Sequence, residues 1–233
     1  MKSFFRTILR FIWKIIKWFL ILSIVSTIIF RFAPVPFTPL MLMRCIEQKF
    51  DGKEMKMEKD WTSLKNISVS IPLAVIASED QKFEEHNGFD MEAIEKAEKF
   101  NEKHHGKKMR GASTISQQTA KNVFLFPTRS WIRKGFEVYF TFLIEIFWSK
   151  QRIMEVYLNV IETGNGIYGV ESASQEYFNK PAGRLSNREA ALIAAVLPNP
   201  RRWSPAKPSA YILQRQRWIL RNMQDVEADD FIK

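Results

Sequence analysis

Apolar positions along the chain recur mostly with the spacing of helices, and one stretch is apolar almost throughout. Trp18 to Phe30, WFLILSIVSTIIF, is a run of 13 uncharged residues, and the preceding ILRFIWKIIK is broken only by Arg10, Lys14 and Lys17. A bilayer needs roughly 20 apolar residues. Counted from about Phe11, with Lys14 and Lys17 reaching toward the head groups, the segment is long enough. A cleaved signal peptide is the competing reading, but no small-x-small cleavage site precedes RFAPVPFTPL. Lys2, Arg6, Arg10, Lys14 and Lys17 come before the apolar run and only Arg31 closely follows it. That asymmetry predicts a single-pass anchor with a cytoplasmic N-terminus and an extracytoplasmic remainder.

Beyond the anchor, three prolines in APVPFTP (Pro34, Pro36, Pro39) predict a stiff exit, followed by a short apolar-then-charged region to about Asn66. From Ser70 the pattern becomes a succession of capped helices. Ser70 is placed as cap of IPLAVIASEDQKFEEH, ended by Gly88, and Asp90 as cap of MEAIEKAEKFNEKHH, ended by Gly106. Ser113 opens TISQQTAKNVFLF, stopped by Pro127, and Ser130 opens WIRKGFEVYFTFLIEIFW. Ser149 caps KQRIMEVYLNVI, SNRE at Ser186–Glu189 is a capping box before AALIAAVL, and Ser209 starts AYILQRQRWILRNM. NISVSI is the best strand signal and it is weak. The expected division is 1–32 basic N-terminus and transmembrane anchor, 33–66 linker and membrane-proximal region, and 67–233 a mainly α domain.

Composition adds two constraints. A net charge of +10 points to polyanionic partners, and the predicted anchor turns that preference from nucleic acid toward anionic lipid or phosphorylated substrates. Cys45 is the only cysteine, which excludes an intramolecular disulfide or a cysteine-based metal cluster.

Three stretches carry candidate chemistry. In IASEDQKFEEHNGFD, helical phase puts Glu79 and Asp80 on either side of an Ile76–Phe83 apolar seam, where desolvation would favour a general base. Glu84 and Glu85 fall at the helix end as solvated residues, and His86 is read as a helix-end histidine because the spacing matches no two-histidine metal site. In RGASTISQQTAKN, the residues Ser113, Gln117 and Lys121 form a four-residue-spaced polar row near a helix start. That row suits a phosphate or pyrophosphate, and a capped, solvated amphipathic helix explains it equally well. In RSWIRKGFEVYFTFLIEIFWSK, the ridge Arg133, Glu137, Thr141 and Glu145 crosses an apolar cylinder. It is either a core helix with an Arg133–Glu137 pair or a cleft in which Arg129, Arg133 and Lys134 surround Glu137 beside a phosphorylated substrate.

Taken together, EDQKFEEHNGFD, RGASTISQQTAKN, RKGFE, SKQRIMEVYLN and EAALIAAVLPNP resemble, in order and spacing, the motifs of family 51 glycosyltransferases. These are the peptidoglycan glycosyltransferase modules of class A penicillin-binding proteins. The resemblance runs from about Ile71 to Met223, and no transpeptidase domain follows before Lys233, as in monofunctional members. One departure is Thr119, where many relatives carry an aliphatic residue.

The resemblance implies a lysozyme-like helical glycosyltransferase domain behind a single N-terminal transmembrane helix. It implies polymerisation of lipid II outside the plasma (inner) membrane, with a β-1,4 bond formed by inversion at MurNAc C1 and undecaprenyl pyrophosphate leaving. Glu79 takes the place of the general base and Glu137 that of the second essential glutamate. Ser113, Gln117, Lys121, Arg129 and Lys134 match pyrophosphate-contacting positions, while Asp80, Phe83 and His86 match supporting ones and Glu155, Tyr157 and Asn159 fourth-motif positions that support the cleft's shape. Mg²⁺ or another divalent cation is the one cofactor implied, with no ligand set assigned and no organic cofactor. The implied partners are lipid II, the lipid-linked nascent strand, the membrane and other cell-wall synthesis proteins, with no nucleic acid. The apolar stretch Phe140–Trp148 is the expected membrane contact of the small lobe. On residues alone, a hydrolase on the same scaffold or a membrane-anchored scaffold protein stays open.

Overall fold

A computed structural model describes residues 2–104, 109, 111–128 and 130–226. It divides into two units, Met1–Pro34 and Val35–Lys233. The first is one helix, α1 (Lys2–Phe32), whose stretch Phe4–Phe32 is long and apolar enough to cross a membrane, with a mean hydropathy of 2.0 over its most apolar 18-residue window. At 1.5 Å per residue a helix of about 20 residues already covers the ~30 Å hydrocarbon layer, so α1 exceeds the need.

The second unit is mainly α. Its helices are α2 (Pro39–Phe50), α3 (Ser70–Glu79), α4 (Met91–Lys103), α5 (Ile115–Phe124) and α6 (Trp131–Phe147), then α7 (Lys150–Val160), α8 (Val170–Phe178), α9 (Asn187–Val196) and α10 (Ala210–Asn222). A small sheet has the order β1 (Glu58–Lys59), β3 (Ile167–Tyr168), β2 (Glu162–Gly164), with β1 parallel and β2 antiparallel to β3. Residues 35–66, expected as a linker, contribute α2, β1 and the 3-10 turn Leu64–Asn66 to this unit. NISVSI forms no strand; it runs from that turn into α3. Strands of two and three residues carry no period-2 signal, which is why this sheet, like the nine-residue α8, escapes a pattern reading.

Two layers of packing position everything else. In one, α3 lies against α9 and α10. The alanines Ala190, Ala191, Ala194 and Ala195 of α9 are fully buried and let the backbones approach closely, while Ile71, Val75 and Ile76 of α3 fill the contact. In the other, α5 lies against α6 and α7. Phe140, Leu143, Ile144 and Trp148 of the α6 stretch are buried, with Phe140 stacked 4.5 Å from Phe124. The stretch Phe140–Trp148 is therefore not uniformly surface. The exposed apolar face of the segment is instead Phe126, Trp131, Ile132, Phe142 and Ile146.

Candidate active site

The pattern predicts one helix from Ser70 to His86, but α3 stops at Glu79. Asp80 leaves helical geometry at φ −162°, ψ 76° because its carboxylate is claimed from outside. Oδ2 accepts the Ile115 N–H of α5 at 2.9 Å, and Oδ1 accepts His86 Nε2–H at 2.9 Å. His86 Nδ1 accepts the Gly88 N–H at 3.1 Å, which leaves Nε2 as the protonated nitrogen. Phe83 does not share a helical face with Ile76. It is fully buried in the returning loop, 4.8 Å from Lys150 Nζ and edge-on to His86. Lys150 also donates to the His86 carbonyl at 2.6 Å and to Glu145 at 2.9 Å. Gly88 must be glycine here: its φ is +88°, and a Cβ would lie 2.7 Å from Thr141 Cγ2.

The turn leaves Glu79 at the edge of a cleft of about 690 Å³, bordered by Glu79, Asp80, Ser113, Gln118, Arg215 and Trp218. Glu79 is 14% exposed. Its Oε2 accepts Gln118 Nε2–H at 3.1 Å, and its Oε1 accepts the Ser78 hydroxyl at 3.3 Å and lies 3.5 Å from Arg215. Arg215 also donates to Ser78 Oγ at 2.9 Å, so α10 braces the end of α3.

The α5 row differs from its predicted form. Thr114, not Ser113, caps the helix, and Gln117 closes a capping box by accepting the Thr114 N–H at 3.1 Å. Gln117 is thus buried at 4% exposure and turned back on the helix start. Ser113 is an exposed wall residue of the cleft, and Gln118 takes the position facing Glu79. Neither Gln118 nor Arg215 stands out in the sequence as a site residue. TISQ, a Thr-x-x-Gln capping box, carried the signal that shifts the phase by one residue and exposes Gln118.

One turn beyond Gln118, Lys121 is partly buried and acts electrostatically with Glu137, Arg133, Lys134 and Glu79. Burial lowers its pKa, and the cations Arg133 and Lys134 add to that effect. Glu137 is itself buried, with Oε2 held by Arg133 at 2.6 Å and Oε1 by Lys134 at 2.5 Å. Two cations thus hold the carboxylate and a third, Lys121, lies within its electrostatic reach, leaving a local positive excess suited to a polyanion. Arg129 lies outside the described residues.

Residues 47–224 match the family model described as Transglycosylase. The chain belongs to the transglycosylase family. It is 57% identical over 218 residues to a protein of Bacteroides thetaiotaomicron, covering 94% of this chain and 87% of the relative. A Bdellovibrio bacteriovorus protein is 53% identical over 220 residues (94% and 87% covered), and one from Pseudomonas syringae pv. syringae is 46% identical over 228 (98% and 96%). Each is named biosynthetic peptidoglycan transglycosylase. The transglycosylase is accordingly a glycosyltransferase, and its helical fold is the lysozyme-like class expected of the family.

Two further expected residues of the transglycosylase, Glu155 and Asn159, are not in the cleft's lining. Glu155 accepts the Leu64 N–H at 2.9 Å and pairs with Arg152. Asn159 accepts the Thr62 N–H at 2.8 Å and donates to the Thr62 carbonyl at 2.8 Å. Both staple the segment before α3 onto α7. For a divalent cation the donor set fits poorly. Both Glu137 oxygens are already engaged, and among the described residues no group of three His, Cys, Asp or Glu converges.

Proposed function

We propose that this transglycosylase polymerises lipid II into the glycan strands of peptidoglycan, with Glu79 as base and the Lys121–Arg133–Lys134–Glu137 cluster holding the donor's pyrophosphate. One observation carries the reading: α5 presents Gln118 to Glu79 and, one turn on, Lys121 to Glu137. A hydroxyl nucleophile at the first point and a phosphorylated leaving group at the second would lie along one helix face.

In the proposed reaction the 4-hydroxyl of the acceptor's GlcNAc attacks C1 of the donor strand's MurNAc. The new C1–O bond forms as the bond to undecaprenyl pyrophosphate breaks, inverting C1 to the β configuration, and the hydroxyl proton passes to Glu79. Pyrophosphate is a good leaving group, so no acid is needed opposite the base, unlike a glycosidase. Charge growing on the phosphates is met instead by ammonium and guanidinium groups already in place. Ser113 at the cleft wall and Arg129 are assigned to the same substrate by resemblance.

The proposed setting is the outer face of the plasma membrane, with α1 as anchor and its basic N-terminal flank inside. Trp131, 92% exposed, and the neighbouring Ile132, Phe142 and Ile146 form an apolar face for lipid contact. The test is polymerisation of purified lipid II by wild type and Glu79→Gln. Loss of product by at least about a hundredfold with an unchanged melting midpoint supports the reading. Polymerisation at the wild-type rate would remove Glu79 from the mechanism. Release of fragments from finished cell wall with lipid II untouched would identify a hydrolase instead.

A further inference from the structure

A second cavity, of about 520 Å³, lies among α2, the β2–β3 turn and the loop between α9 and α10. Its walls carry four cations, Arg44, Lys53, Arg201 and Arg202, and two acids, Glu47 and Asp51. The acids are already matched, Glu47 by Arg44 at 2.7 Å and Asp51 by Lys53 at 2.9 Å. Counting Glu162, 3.4 Å from Arg44, the group still has four cations to three acids. The excess falls on the loop: Arg201 comes no nearer than 3.7 Å to Glu47, and Arg202 has no ion pair or side-chain hydrogen bond among the described residues.

The cavity is held in shape by its backbone. Gln48, buried on α2, accepts the Lys56 N–H at 2.7 Å and donates to the Lys56 carbonyl at 3.3 Å. Gly166 in the β2–β3 turn, at φ +73°, lies so close to the same segment that a Cβ would stand 2.4 Å from the Lys56 carbonyl oxygen. Within that frame several donors are unused. Arg44 Nε is buried without a hydrogen-bond partner, and the side-chain amides of Asn165 and Asn199 have none among the described residues. Guanidinium and amide donors fixed around an open space suit an oxyanion such as a carboxylate.

Pro198 borders the cleft of Glu79, and the next residue, Asn199, borders this cavity. Consecutive Cα atoms are about 3.8 Å apart, so the two spaces flank one turn. We infer that the cavity receives the anionic peptide arm carried by MurNAc in the substrate, with Arg201 and Arg202 pairing with the arm's carboxylates. The inference rests on the reading of the chain as a lipid II polymerase. A lipid headgroup phosphate would meet the same donors. The shared turn favours instead a group covalently attached to the molecule that occupies the cleft.

The experiment uses the full chain in phosphatidylcholine vesicles, comparing wild type, Arg202→Gln and Arg201→Gln/Arg202→Gln. Each is given lipid II with free peptide carboxylates and lipid II with those carboxylates converted to amides. On the free acid, KM should rise about threefold in the single variant and about tenfold in the double, with kcat within about twofold. On the amidated substrate wild type should lose about tenfold in kcat/KM, and the variants should match it within about twofold. The differences should shrink at high salt. Both arginines are exposed, so melting midpoints should stay within about 1 °C of wild type. A wild-type KM for the free acid in the double variant overturns the inference and leaves the polymerase reading intact. An equal rise in KM on both substrates, which would not depend on the carboxylates, also overturns it. A rise that appears only when phosphatidylglycerol is added makes the cavity a headgroup site and overturns it as well. No polymer from wild type on either substrate overturns the polymerase reading itself.

Discussion

Under the proposed role, Lys121 pays in stability for what it would offer the substrate. Its ammonium is drawn into a half-buried position beside Arg133 and Lys134, and Glu137 and Glu79 oppose that cost. Because its folded pKa is lowered, the unfolded chain binds more protons between the folded and unfolded values, so this residue's contribution to stability improves as pH rises through that window. At neutral pH the charged form is a net burden on the empty enzyme. Lys121→Met should therefore raise the melting midpoint of the substrate-free protein by about 2 °C, as followed by circular dichroism, while polymerisation falls at least about a hundredfold. The cation is lost as pH rises through the lowered value, which places an alkaline limb in the activity profile below the ordinary lysine range. Lys121→Arg, charged at every accessible pH, should push that limb upward. An alkaline limb identical in the arginine variant would assign it to another group.

At the scale of elements, α5 shows how a one-residue difference in the cap redistributes roles. A helix started at Ser113 turns Gln117 toward the substrate; one capped by Thr114 spends Gln117 on the capping box and presents Gln118. Gln117→Ala should lower stability by about 1 kcal/mol, read as a drop in melting midpoint of about 2–4 °C. Gln118→Ala, which loses only a contact at the cleft edge, should leave the midpoint within about 1 °C and lower kcat. Equal midpoints for the two variants would contradict the assignment of the cap. Most helices were legible in the sequence because Asp90, Ser130, Ser149, Ser186 and Ser209 cap them through local hydrogen bonds. What was not legible depends on distant partners. The end of α3 is set by Asp80 reaching Ile115, 35 residues away, and Arg215 meets Glu79 from α10. Glu79 and Glu137 stood out by type and setting, whereas Arg215 acquires meaning only once the helices are packed.

At the scale of the molecule, two apolar surfaces would, under the proposed function, serve a substrate whose tail is a long hydrocarbon. One is α1, whose 29-residue stretch Phe4–Phe32 exceeds the bilayer requirement. The other is the outer face of α6 and the turn before it, where Phe142 is 60% and Ile146 56% exposed while Phe140 and Ile144 fill the core. Amphipathicity of this kind, apolar on both sides with only Glu137 and Glu145 as acids, is wasteful for a helix that faces water on one side. It is economical for one that faces lipid, because a pyrophosphate carried on a membrane-embedded tail is best met at the membrane surface. The double variant Phe142→Glu/Ile146→Glu leaves the core residues of α6 untouched and should keep its melting midpoint in detergent. In lipid vesicles containing lipid II its polymerisation should fall about tenfold or more relative to wild type, since a charge at the interface carries a cost per residue of order 1 kcal/mol or above. In detergent micelles, where the tail is delivered without a bilayer, the two proteins should differ by less than about twofold. Equal loss in vesicles and micelles would mean that this face packs against protein or substrate rather than lipid, and equal activity in both would leave α1 as the only membrane contact that matters for catalysis.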